Sequence, residues 1–172
     1  RHLVLQVSVL DRDGHPRVEA VAVNDCAITA GPPFRMIELQ LKFDQSNGPT
    51  LNGDGVIIST PIGSTAYNVS AGGPIVQPSV QAIAITPVAP HSLAFRPIVA
   101  DAGTELEVRV NRANPGTTLV LDGQANHQIS EGERLLVRRA GQHAALIGNP
   151  GSPYWNTLIH KMRWAAPPTY RD

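Results

Sequence analysis

Residues 3–10 alternate, with Leu3, Leu5, Val7 and Val9 on one side of the chain, and the Asp13-Gly14 pair that follows tolerates the positive φ of a tight hairpin turn. The pattern predicts strand, turn, strand, with the return strand over about 18–23. A further β-rich stretch, 26–29, follows Asn24-Asp25 and is broken by Gly31-Pro32-Pro33. Over 36–43 the alternation is clean: Ile37, Leu39, Leu41 and Phe43 face one way and Glu38, Gln40 and Lys42 the other, the period of a half-buried strand and not of an amphipathic helix. Strands are also predicted at 55–59, 82–86, 105–110, 117–121, 134–138 and 144–147. Between them lie the turn signals Asn111, Asn114-Pro115-Gly116, Asp122-Gly123 and Glu131-Gly132. Many short strands with glycine and proline between them predict a mainly β chain, a two-layer β-sandwich in preference to a parallel α/β sheet.

Two segments depart from the strand pattern. The stretch 64–72 reads as one short helix, capped by Ser64 or Thr65 and ended by Gly72-Gly73-Pro74. A C-terminal helix near 153–163 is predicted from Ser152 as N-cap, Pro153 at the first helical position, and Trp155, Leu158, Ile159 and Met162 on one face. That apolar stripe needs a surface to cover it.

Composition narrows the class. A chain of 172 residues, 42% hydrophobic and 16% charged, can bury one core. Lys+Arg 14 balance Asp+Glu 14, so no global charge draws it to nucleic acid or an anionic membrane, and neither partner is expected. The lone Cys26 sits in an apolar run and reads as a small buried hydrophobe in a reducing compartment. No apolar run approaches the roughly 20 residues needed to span a bilayer, and Arg1-His2 leads into a strand instead of a secretory leader. A cytoplasmic protein is expected, one whose abrupt start implies preceding residues in a parent chain. The six histidines, His2, His15, His91, His127, His143 and His160, have no ligand spacing, so no metal site is expected.

Candidate chemistry concentrates at 53–74, where a buried strand runs into a helix start rich in hydroxyls and glycines. Such a start offers backbone N–H groups and the hydroxyls of Ser59, Thr60 and Ser64 to a polar ligand, or it is simply a well-capped turn. It is not a Walker A loop, because Gly-Lys-Ser/Thr does not occur. A serine hydrolase using Ser64 or Ser70 with His91 is disfavoured, because Asn68 stands where a nucleophile elbow requires glycine.

The segment 53–74 resembles a signature of the NAD kinases, which phosphorylate NAD to NADP. Further blocks agree in order and spacing: Asn24-Asp25 for the family's Asn-Glu pair, 86–93 with Arg96-Pro97-Ile98-Val99, Asp122-Gly123-Gln124, and Tyr154-Trp155 through Trp164. The family's Gly-Gly-Asp-Gly motif, carried on a preceding α/β domain, does not occur here. The chain thus resembles the C-terminal, NAD-holding domain, with 1–150 as the β-sandwich and 151–172 as a helix and tail that would dock on the N-terminal domain.

That resemblance implies NAD contacts from Asn24, Asp25, Asp54, Thr65, Ala66, Tyr67, Ser70, Ala89, Asp122 and Gln124, with no catalytic residue in this chain. Asn24 and Asp25 would hydrogen-bond the dinucleotide, Asp54 its nicotinamide end, residues 65–70 its adenosine side, and Asp122 and Gln124 a ribose. Ala89 would line a site shared with a neighbouring subunit. Each position also has a plain reading: Asn24-Asp25 and Asp54 as turns, Tyr67 as core, Asp122-Gly123 as a hairpin turn. The chain departs from the family at Asp25 (for Glu), Asn52 (for Arg or His) and Ile62 (for Thr). The implied reaction moves a phosphoryl group from ATP or polyphosphate to the adenosine 2′-hydroxyl of NAD, with Mg²⁺ accompanying ATP and not bound by this chain. A homo-oligomer, dimer or tetramer, is expected, and this chain alone should be inactive. The competing reading is a non-catalytic dinucleotide-binding or regulatory module.

Overall fold

The computed structural model describes residues 1–44, 46–147, 151 and 153–164. Within them the chain runs β1 (Leu5–Leu10), β2 (Pro16–Ala22), β3 (Asp25–Thr29), β4 (Ile37–Phe43), β5 (Ser46–Gly53), β6 (Gly55–Ser59), α1 (Tyr67–Ser70), β7 (Ala82–Val88), β8 (Ile98–Asp101), β9 (Leu106–Arg112), β10 (Thr118–Leu121), β11 (Ala125–Gln128), β12 (Arg134–Arg139) and α2 (Tyr154–Met162). Two antiparallel six-stranded sheets form, in the orders β2-β1-β12-β9-β4-β5 and β11-β10-β3-β6-β7-β8. The expected sandwich is therefore present.

Alternation builds the core between the sheets. Leu5, Val7 and Val9 of β1 and Ile37, Leu39 and Leu41 of β4 are buried while their neighbours are not. They meet Cys26, Ile28, Val56, Ile58, Ile83 and Ile85 of the second sheet in one apolar cluster. The β1–β2 connection turns as expected, with Gly14 at φ 92° and its N–H donating to the Asp11 carbonyl.

Three strands, β5, β8 and β11, lie outside the elements predicted from the pattern, and all three are sheet edges. An edge strand pairs on one side and buries few side chains, so its sequence need not alternate. β5 even contains Gly48 and Pro49, which an edge tolerates beside the register shift opposite Gln40 and Lys42. Conversely, the strand expected at 144–147 is only an isolated bridge between His2 and Ala144.

The segment expected as a helix over 64–72 is a 3₁₀ turn at Gly63–Thr65 followed by the single α turn of α1. Neither Ser64 nor Thr65 caps it; Ala66 occupies the cap of α1 without a side-chain hydrogen bond, because both hydroxyls donate to carbonyls three residues back. Its ending is as expected, with Gly72 at φ 82°. This segment covers the outer face of the second sheet, which is why all five residues of β6 are buried. At the C-terminus the helix forms with Pro153, not a serine, as its cap; Ser152 lies outside the described residues. Of its apolar stripe only Leu158 is buried.

Candidate functional site

Register places the site on the outer face of the second sheet. Asp25, Ser59 and Ala84 align across β3, β6 and β7, and Val120, Ala27, Ile57 and Thr86 form the next row. Partners in a ladder point to the same face, and of these rows Asp25, Ala27 and Val120 make a floor. Above it Ala66 and Tyr67 form a wall, and a cleft of about 310 Å³ opens between them, lined by Asn24, Asp25, Ala27, Ala66, Tyr67, Val120, Asp122 and Gly123.

The rim is built by backbone hydrogen bonding. The Asp122 carboxylate accepts the N–H groups of Val23 (2.9 Å), Asn24 (2.7 Å) and Asp25 (3.1 Å), while its own N–H donates to the Asp25 carbonyl at 2.9 Å. Asp122 and Gly123 both have positive φ, 51° and 67°, in the three-residue connection 122–124 of the β10–β11 hairpin. The hairpin reading and a place at the site therefore both apply to Asp122: the turn holds its carboxylate against the strand end that carries Asn24 and Asp25. On the other side the Asn24 carbonyl accepts from Thr60 N–H at 2.9 Å. A Cβ on Gly63 would stand 1.9 Å from that carbonyl oxygen, so only glycine fits.

Asp25 is the chemically distinctive group. The residue is 4% exposed, and its carboxylate, to which no described residue donates a hydrogen bond, opens to the cleft. Burial, and then the neighbouring Asp122 charge, push its pKa up to about 6. A desolvated carboxylate at the wall of a cleft is an acceptor waiting for donors, and hydroxyls of a sugar are suitable ones.

One expectation is corrected by burial. The hydroxyls of Ser59, Thr60 and Ser64 are not offered to a ligand: all three residues are fully buried. Ser59 donates to the Asn24 or Thr60 carbonyl, Thr60 to the Val23 carbonyl at 2.7 Å, and Ser64 to Pro61 at 2.7 Å. A Ser64 nucleophile is excluded by the same burial. Ser70 and His91 are exposed with no hydrogen bond between them among the described residues. Cys26 is buried, and desolvation pushes its thiol up, as suits a structural cysteine.

The remaining expected positions fall into two places. Thr65 and Ser70 flank the wall, and Gln124 ends the same hairpin turn, exposed. Asp54 and Ala89 lie at the opposite end of β6 and β7, where Asp54 N–H donates to the Val88 carbonyl at 3.0 Å and Ala89 holds a left-handed φ of 43°. The five-residue step from Asp54 to Ser59 corresponds to roughly 17 Å of strand. Sequence reasoning missed Ala27 and Val120 as the cleft floor, and only the strand register could have shown it.

Among the described residues, the one grouping of three potential metal-ligating side chains is Asp11, Asp13 and His15, in the β1–β2 turn on the other sheet. Asp11 there accepts the N–H groups of Asp13 and His15, which lowers its pKa, so its carboxylate already serves the turn.

The profile of the ATP-NAD kinase C-terminal domain matches residues 23–148. An NAD kinase of Rhodopirellula baltica is 40% identical over 165 residues, covering 96% of this chain and 53% of that protein. One from Gemmatimonas aurantiaca is 38% identical over 94% of this chain and 56% of its own length. The chain thus spans about half the length of the curated relatives it matches. Among solved structures, an Archaeoglobus fulgidus NAD kinase in complex with ATP superposes with a TM-score of 0.76 at 28% identity, over 94% of this chain and 59% of that one. Yeast NADH kinase complexed with NADH shares the fold, with a TM-score of 0.90 at 23% identity over 99% of this chain and 52% of the other.

Proposed function

The chain belongs to the ATP-NAD kinase family through its C-terminal domain, and from that premise we propose that it holds NAD in the Asp25 cleft. The observation that carries this reading is the largely buried Asp25, whose carboxylate opens to a cleft that Tyr67 also lines. Asn24 and Asp25 accept and donate at the ribose edge, residues 65–67 and Ser70 flank the adenosine, and Asp122 fixes the rim. Gln124 reaches the ligand from the exposed side of the same turn. Asp54 and Ala89, at the opposite end of β6 and β7 from Asp25, serve a second copy's site.

In the whole protein the reaction is phosphoryl transfer from ATP or polyphosphate to the adenosine 2′-hydroxyl of NAD, with Mg²⁺ arriving on ATP as part of the substrate. Positioning and electrostatics carry such transfers, and the groups for the donor phosphates would come from an N-terminal domain, on which 151–172 would dock beside the 1–150 sandwich. The 172-residue chain therefore binds NAD without converting it. A cytoplasmic place accords with this, and no helix of the described residues is long and apolar enough to cross a membrane.

Calorimetry tests the reading. NAD should bind the 172-residue chain, and Asp25→Ala should weaken it at least about tenfold, a loss of about 1.4 kcal/mol. Equal affinity in the two proteins would remove Asp25 from the site, and NADP formation by the chain with ATP and Mg²⁺ would contradict its inactivity.

A further inference from the structure

A polar knot lies under the wall of the cleft and takes no direct part in lining it. Asn68 of α1 and Thr86 of β7 are both fully buried. The Thr86 hydroxyl donates to Asn68 Oδ1 at 2.6 Å, and the Asn68 amide donates to the carbonyls of Ser64 (3.1 Å) and Pro74 (2.9 Å). The Asn68 and Thr86 side chains are sealed from water, and a Cβ on Gly73 would stand 2.2 Å from Asn68 Oδ1 and 2.4 Å from Thr86 Oγ1, so the knot leaves no slack.

Two features give the knot meaning. Buried polar groups add little net stability over apolar groups of the same shape, yet they select one geometry, because any other leaves a donor or acceptor unpaired. And the geometry selected here joins two parts of the site: Asn68 is the residue after Tyr67, which with Ala66 forms the wall, whereas Thr86 shares a floor row with Ala27. α1 is a single turn without a side-chain cap and cannot fix its own position.

We propose that Asn68 and Thr86 are positioning residues: their hydrogen bond latches the Ala66–Tyr67 wall to the sheet floor at the separation that keeps the Asp25 carboxylate enclosed and a dinucleotide gripped. The binding half of this inference rests on the NAD reading above. The latching half does not.

The test uses the 172-residue chain and two kinds of readout. Thr86→Val keeps shape and strand preference while removing the donor; Asn68→Leu removes the other partner, and Thr86→Ser restores the hydroxyl. No charge near Asp25 changes in any of them, so a shift in Asp25 titration, followed by carboxyl ¹³C NMR without ligand, reports its enclosure. In the starting protein the midpoint should lie near 6. In Thr86→Val it should fall toward the ordinary carboxylate range while the melting temperature stays within about 4 °C, a change of 1 to 2 kcal/mol at this size. The NAD dissociation constant should rise at least about fivefold, and Thr86→Ser should recover both values. If Asn68→Leu fails to fold, Thr86→Val and Thr86→Ser still decide. An unchanged Asp25 midpoint in folded Thr86→Val overturns the latch. Absence of NAD binding in the starting protein overturns the functional reading instead, leaving the ligand-free titration to judge the latch.

Discussion

Asp25 exchanges stability for binding. Its pKa is raised by burial above the ordinary carboxylate value, so the folded state takes up a proton more readily than the unfolded chain between about pH 4 and pH 6. The sign follows: the contribution of Asp25 to stability is fully present below that window and is lost as pH rises through about 6. Asp25→Asn, which carries no charge to desolvate, should melt a few degrees higher than the starting protein at pH 8, with the gain vanishing by pH 4; equal melting temperatures at pH 8 would contradict this. NAD affinity should move the opposite way, falling as pH drops through about 6, because a protonated carboxyl loses acceptor capacity for ribose hydroxyls. At Asp122 the expectation differs. Removing its carboxylate strands three backbone N–H groups, each costing about 1–3 kcal/mol if left unpaired, so Asp122→Ala should lower the melting temperature as well as NAD affinity. Thermal denaturation with calorimetry checks both effects; a loss of affinity at full stability would make Asp122 a ligand contact only. Asn24, Asp25, Tyr67 and Asp122 were legible as site candidates from their motif. The inward turn of Ser59, Thr60 and Ser64 was not, because a sequence shows that a hydroxyl exists and not which backbone carbonyl competes for it.

At the scale of elements, strands that bury one face against the core, such as β1 and β4, were readable from alternation. The edges β5, β8 and β11 were not, since pairing on one side imposes no such pattern on them. The segment after β6 was read as one helix because small residues recur at helical spacing; internal hydrogen bonds from Ser64 and Asn68 broke it into two turns. α2 is readable from its apolar stripe, and so is the want of a surface within this chain to cover that stripe. Trp155, Ile159 and Met162 are 53%, 46% and 39% exposed, and Trp164 is 51% exposed, so most of the stripe faces water. Both tryptophans of the chain lie in this segment. Their emission should therefore be solvent-like in the 172-residue protein and shift to the blue in a protein that also carries the N-terminal half of its relatives. Amides of 155–162 should also exchange faster than those of β4. Blue emission and β4-like protection in the 172-residue protein would show α2 to be native core instead of a docking element.

At the scale of the molecule, Asp25 lies at one end of β6 and β7 and Asp54 and Ala89 at the other, and the proposal that Asp54 and Ala89 serve a neighbour's site requires a second copy. The connection near Ala89 offers an apolar surface for one: Leu93 is 88% exposed and Val99 52%, beside a groove lined by Leu41, Phe43, Leu51, Ile85 and Phe95. Sedimentation at roughly 50 µM should report a dimer or larger, and Leu93→Arg should shift it toward monomer. Mixing Asp25→Ala with Asp54→Ala should then restore binding at about a quarter of the sites in a dimer, because only mixed pairs hold one intact site; no restoration would place Asp54 outside the site. All of this depends on where NAD binds. The most direct measurement is a titration of NAD into the isotope-labelled protein followed by backbone amide NMR. The largest shifts should fall on Val23 to Asp25, Ala66 to Tyr67 and Val120 to Gly123, the three segments that meet only at the cleft. Shifts confined to other surfaces, or none at millimolar NAD, would contradict the account.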